Sequence, residues 1–186
     1  METWWSKALW WQFGAAIDML EKALLACPDS LWRQPIWHDP SDPSRGVEFW
    51  YVPYHALFWL DLYLSATLEG FAPPAPFTMA ELDPAGALPE RPYTKDELLA
   101  YLAYARQKGQ ARLVGLTQEQ ARQPLDPPWA KGKDFTYLEL QLYNLRHVQE
   151  HAAQLQLFLG QHAIQSGPNW VARAKDSPDS NQAPAQ

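Results

Sequence analysis

The stretch Thr136-Tyr137-Leu138-Glu139-Leu140-Gln141-Leu142-Tyr143-Asn144-Leu145-Arg146-His147-Val148-Gln149-Glu150-His151-Ala152-Ala153-Gln154-Leu155 decides how this chain is read. It opens on a capping box: Thr136 can accept from the amide of Glu139, and Glu139 can reach back. The spacing predicts a helix that continues to about His162 and is ended by Gly167-Pro168. At about 100° per residue, His147 and His151 share a sector with Leu140, Asn144, Leu155 and Phe158, whereas Gln149 and Gln156 lie opposite. Both imidazoles therefore point inward, with Cβ atoms roughly 5–6 Å apart. Two ring nitrogens so placed can share one metal at about 2 Å from each. Buried without a metal, each ring would instead need hydrogen-bond partners, and charging either would be costly. The zincin pattern needs Glu directly after the first His; here that residue is Val148.

Outward from this helix, three more stretches have helical periodicity. Thr3 to Ala26 carries Leu9, Trp10, Phe13, Ile17, Leu20 and Leu24 at steps of three and four, and stops at Cys27-Pro28-Asp29-Ser30. Val47 to Leu68 is apolar on nearly every side, which suggests a heavily buried helix. Pro53 either kinks it or marks its true first turn, and a strand over Glu48 to Val52 is the alternative. A third helix opens on the capping box Thr94-Lys95-Asp96-Glu97. The link Gly70 to Tyr93 is Pro-rich and apolar enough to pack across the helices, and Gln123 to Asp134 is shorter. This is an all-α chain, expected to form a four-helix bundle with long Pro-rich connections, in which facing helices can build a site.

The densest apolar stretch contains His55, on a face with Tyr51, Trp59, Leu62 and Ala66. It is either a satisfied core residue or a third ligand to the ion shared by His147 and His151. Asn144, one turn before His147, could orient a ligand or a metal-bound water. Trp59 could wall a pocket that Tyr51 and Tyr143 border, although core packing is the commoner use of such residues. His38 reads as an exposed loop residue, and Glu48 is too far along the helix to share the metal directly. His162 lies eleven residues beyond His151, about 16 Å along a helix, and cannot join the site. Cys27 has no neighbouring base in sequence and reads as structural.

Tyr54-His55-Ala56-Leu57-Phe58-Trp59, taken with Arg146-His147-Val148-Gln149-Glu150-His151-Ala152-Ala153-Gln154-Leu155, resembles the DinB-like family, which includes the YfiT-type metal enzymes. The resemblance spans roughly residues 4–160. It implies a four-helix bundle holding one divalent metal ion on three histidines, which map onto His55, His147 and His151. Residues 1–166 are then expected to be the DinB-like domain and 167–186 a disordered tail. Members of the wider superfamily use low-molecular-weight thiols, in mycothiol- and bacillithiol-dependent transfer and in maleylpyruvate isomerisation, so a thiol cosubstrate is implied. The related iron sulfoxide synthases carry His-x-x-x-His-x-Glu; Ala153 stands here in place of that Glu, which argues against their chemistry.

Composition bounds the rest. Hydrophobic residues make up 47% and charged residues 19%, a globular composition, and the net charge of −6 argues against a nucleic-acid partner. One cysteine, no signal-peptide layout over Met1 to Phe13 and no apolar run of roughly 18 residues lead to the expectation of a soluble, cytoplasmic, membrane-free protein. The expected function is a metal-dependent enzyme acting on a small-molecule substrate, as a thiol-dependent S-transferase or a hydrolase. The ion would be zinc, nickel or iron, since neutral imidazole suits all three. The alternatives are a non-catalytic metal- or ligand-binding stress protein and a purely structural bundle that dimerises. A homodimer is expected from the resemblance and the abundance of aromatic residues.

Overall fold

The computed structural model describes residues 4–39, 42–84, 86, 88–167 and 170–176. Four long helices dominate: α1 (Trp4–Ala26), α2 (Tyr51–Ser65), α3 (Lys95–Val114) and, after the single turn α4 (Gln118–Ala121), α5 (Tyr137–Gln161). α1 packs against α3 and α5, and α2 packs against the same two. The apolar stripe of α1 is the reason it sits so: Trp10, Phe13, Ile17, Leu20 and Leu24 are all fully buried. The chain is thus mostly helical around one apolar core to which all four long helices contribute.

The capping boxes at Thr94 and Thr136 form as the sequence predicts, each threonine accepting from the amide three residues on and each glutamate reaching back. A third, Thr117 with Gln120, starts α4. The second helix begins at Tyr51 rather than Val47, because the residues before it form a strand. β1 (Pro35–Asp39) and β2 (Asp42–Glu48) pair antiparallel, with Trp37 opposite Val47. Pro53 then falls in the first turn of α2, where its missing N–H costs nothing. The helix stops at Ser65 instead of Leu68 because Ala66 turns left-handed (φ 61°) and returns its amide to Leu62 and Tyr63. A second short antiparallel pair, β3 (Pro124–Leu125) with β4 (Phe135–Thr136), leads into α5.

α5 ends six residues before Gly167. Ala163 (φ 58°) donates to Gly160 and Ile164 to Leu159, a Schellman closure built on alanine in place of glycine. Residues 170–176 lie along α1. Ala174 donates to the Trp11 carbonyl, Lys175 N–H to the Asp18 carboxylate, and Asp176 pairs with Arg106 of α3. These polar contacts hold the segment together with Val171, which packs against the core. Residues 177–186 are outside the described region.

Two carboxamides of α5 tie it to α2: Gln141 Nε2 donates to the Tyr63 carbonyl and Asn144 Nδ2 to that of Leu60, at 2.8 and 3.2 Å. From α3, Lys108 and Tyr101 both reach the fully buried Asp61 of α2. These contacts fix the axial registration of the helices that carry the histidines. Among the described residues no helix is long and apolar enough to cross a membrane.

Candidate metal centre

α2 and α5 face each other where α2 carries His55 and α5 carries His147 and His151. His147 Nε2 lies 3.2 Å from His55 Nε2 and 3.0 Å from His151 Nε2. The three residues form a group whose ligand atoms all lie within 4.8 Å of one another. A single ion at about 2.0–2.1 Å from each nitrogen would set them about 3.3 Å apart if tetrahedral and about 2.9 Å apart on an octahedral face. The observed spacings fall between these values, so the cluster can hold one metal ion.

The far sides of the rings favour that use. Glu81 Oε2 accepts from His55 Nδ1 at 2.6 Å, so in the neutral ring the Nε2 lone pair faces its neighbours. Gln154, with its amide oxygen turned inward, accepts from His151 Nδ1 at 2.9 Å and presents the second Nε2 lone pair in the same way. His147 Nδ1 is buried without a partner among the described residues. In the metal-free site one N–H, on His147 Nε2, would have to serve both neighbouring lone pairs. A cation satisfies all three. Burial, with His151 and His55 alongside, pushes the His147 pKa down to about 3, and burial lowers that of His151 as well. Both rings are therefore neutral near pH 7, the form a metal requires.

Glu81 is the residue that sequence reasoning missed. It sits in a 3₁₀ turn (Ala80–Leu82) of the Pro-rich link between α2 and α3. Its side chain is 3% exposed, and Oε2 also accepts from Trp59 Nε1 at 3.0 Å. Burial by itself would raise the Glu81 pKa. The hydrogen bond and charge of His55, with the Tyr51 and Trp59 donors, outweigh it and hold the carboxyl below its ordinary value. The link is pinned in turn: Tyr54 O–H donates to the Thr78 carbonyl, and Phe77 stacks on Tyr54 and Tyr101. Its signal in the sequence was weak, since the apolar link that packs across the helices holds Asp83 and Glu90 besides Glu81.

The residues expected around the triad divide into two groups. Tyr51 and Trp59 flank His55, with ring centroids 6.2 and 6.3 Å from it, and both belong to the Glu81 network. Tyr143 packs edge-on against Tyr63 and under Arg146, and does not line the opening described below. Asn144 is fully buried, and its amide spans to Leu60 and Gln141 instead of turning to the histidines. Glu48 is engaged by Arg33 and by Trp50 Nε1. His162 bonds back to the Phe158 carbonyl. His38 lies on β1, and its side chain is outside the described residues. Cys27 is buried at the end of α1, where loss of water raises its pKa to about 11, so it is no nucleophile.

His55 and His151 open onto a cleft of about 510 Å³ between the β1–β2 hairpin and α5. His147 closes the cluster from behind.

The model of the DinB superfamily matches residues 12–155, and the chain belongs to that superfamily. No curated protein sequence matches it.

Proposed function

We propose that His55, His147 and His151 hold one divalent metal ion (zinc, nickel or iron) at the centre of a four-helix bundle, and that the protein is a metal-dependent enzyme of the thiol-dependent S-transferase or hydrolase type. The observation that carries the reading is the convergence of three Nε2 atoms, two of them with the outer ring nitrogen already committed to a hydrogen-bond acceptor. Three protein nitrogens that leave positions free are the layout of a catalytic site, not a structural one. When bound, the ion would supply a Lewis acid that favours hydroxide from water or thiolate from a thiol at neutral pH.

The chain's own residues do the rest. Glu81 fixes the tautomer and plane of His55, Gln154 those of His151, and the cleft beside these two rings admits a small molecule to the face that His147 leaves open. We place the protein in the cytoplasm as a homodimer, with residues 1–166 as the domain that carries the site.

The test is elemental analysis of protein purified without a metal-affinity tag, beside the His147→Ala variant. Near one equivalent of metal in the parent and little in the variant is expected, and would justify a screen of thiols with electrophiles and of hydrolysable esters and amides. Absence of metal from both, even after incubation with each ion, overturns the reading. Metal retained without turnover in the screen would favour the non-catalytic metal-binding alternative.

A further inference from the structure

The cleft beside the histidines restricts what can reach them. One wall is the hairpin, through Ile36, Trp37 and Val47, and the other is α5, through Leu157 and Phe158. Trp37 and Leu157 stand at its mouth, 53% and 65% exposed. These are large apolar side chains left in water on two elements that face each other across a space of about 510 Å³. That volume lies within the range of small-molecule pockets. The polar groups that line it besides the histidines are uncharged: the Gln154 and Gln161 carboxamides and the Tyr51 phenol. Among the described lining residues there is no Asp, Glu, Lys or Arg. Of the nearby carboxylates, Glu48 is engaged by Arg33 and Trp50 and Glu81 by His55 and Trp59, and the exposed Glu150 does not line the cleft.

Beyond reach of an ion held by the histidines, a charged ligand along these walls would lose water and gain no counter-charge, which is costly. An apolar one would gain contact along the whole cleft and cover Trp37 and Leu157. From these walls we infer that the cleft is the subsite for an uncharged, largely apolar small molecule, whose reacting group is delivered between His55 and His151. This rests on the metal-site reading for the word "reacting" and on the cleft alone for the ligand class.

Two fluorophores that share one skeleton test it: uncharged N-phenyl-1-naphthylamine and its sulfonate, 8-anilinonaphthalene-1-sulfonate. Each is titrated into the full chain, into Leu157→Asp and Val47→Asp, and into His147→Ala, with folding checked by circular dichroism and metal content measured on the same samples. The expected result is saturable one-to-one binding of the uncharged probe, about tenfold or more tighter than the sulfonate. Either aspartate should weaken it by about tenfold or more, whereas His147→Ala should leave it within about twofold. No saturable binding, binding indifferent to both aspartates, or preference for the sulfonate overturns the inference. Because His147→Ala empties the metal site and spares the cleft, loss of metal with retained probe binding keeps the two readings apart.

Discussion

Replacing Glu81 is the perturbation that most directly tests how the candidate site is organised. The carboxylate lies 2.6 Å from His55 Nδ1 and 3.0 Å from Trp59 Nε1. A contact that short to an anion is a charge-assisted hydrogen bond, roughly twice as strong as a neutral one. Glu81→Gln keeps the shape and an accepting oxygen but removes the charge. Partners of metal-ligating histidines are typically worth about 10–100-fold in metal affinity, or about 1.4–2.8 kcal/mol. The amide should fall near the lower end and Glu81→Ala near the upper. The alanine should also cost about 1–3 kcal/mol of stability, because it strands the Trp59 indole N–H without an acceptor. Affinity would be measured by competition against a chromophoric chelator for zinc and nickel, and stability by urea denaturation of the metal-free proteins. A purely structural Glu81 would lower stability and leave the dissociation constant of the folded protein alone. Unchanged metal affinity in folded Glu81→Ala would refute the view that this carboxylate orients His55.

Three further outcomes follow from named contacts. Asn144→Ala should cost about 1–3 kcal/mol in urea denaturation by removing the tie to α2 and leaving the buried Gln141 amide oxygen without its donor, yet leave metal stoichiometry intact; loss of metal would instead return Asn144 to the site. The metal-free protein should lose stability as pH falls below about 6.5: His147 titrates near 6.5 when unfolded and about 3 when folded, so between these values the unfolded chain binds the extra proton. One such proton gives about 1.4 kcal/mol per pH unit, His151 adds in the same direction, and a flat urea midpoint between pH 7 and 5 would contradict the assignment. Gly14→Ala places a Cβ 2.6 Å from that of Ala174, so the segment 170–176 should detach and be cleaved faster by protease at Arg173 and Lys175, while α1 gains about 1 kcal/mol from the better helix former; unchanged cleavage would mean that the segment shifts without releasing.

What could be read from the sequence was whatever a single helix writes at its own period. The inward stripe of α5 placed His147 and His151 on one face because side chains four apart must share a sector, and the capping boxes at Thr94 and Thr136 fixed two helix starts to the residue. The start of α2 was misplaced because Val47 and Glu48 fit either a helix or a strand in isolation; pairing with Pro35 and Trp37 decides for the strand. Asn144 lay on the correct face and still does another job, since a face defines an angle and not a depth along the axis: its amide meets the Leu60 carbonyl one turn away from the histidines. Residues 170–176 follow no helical or strand period, and nothing local in them reveals that Asp18 and Arg106, far off in sequence, wait for their amide and carboxylate.

Glu81 and the cleft share the same reason for being hard to foresee, and that reason bears on how the site is built. The long helices supply the three ring nitrogens and much of the cleft, whereas the links add the parts that no helix period reveals. The carboxylate behind His55 comes from the α2–α3 link, and Ile36, Trp37 and Val47 come from the hairpin between α1 and α2. Helix packing fixes the nitrogens through buried ties such as Gln141 to Tyr63 and Lys108 to Asp61, so changes in the links can alter access without moving the cluster. Substitutions at Trp37 or Val47 should accordingly change which ligand enters and leave metal affinity alone, while substitutions at Glu81 should do the reverse. A chain carrying Val47→Asp that lost metal as well as apolar ligand would show that the hairpin braces the helices themselves, and the independence of cleft and metal site would fail.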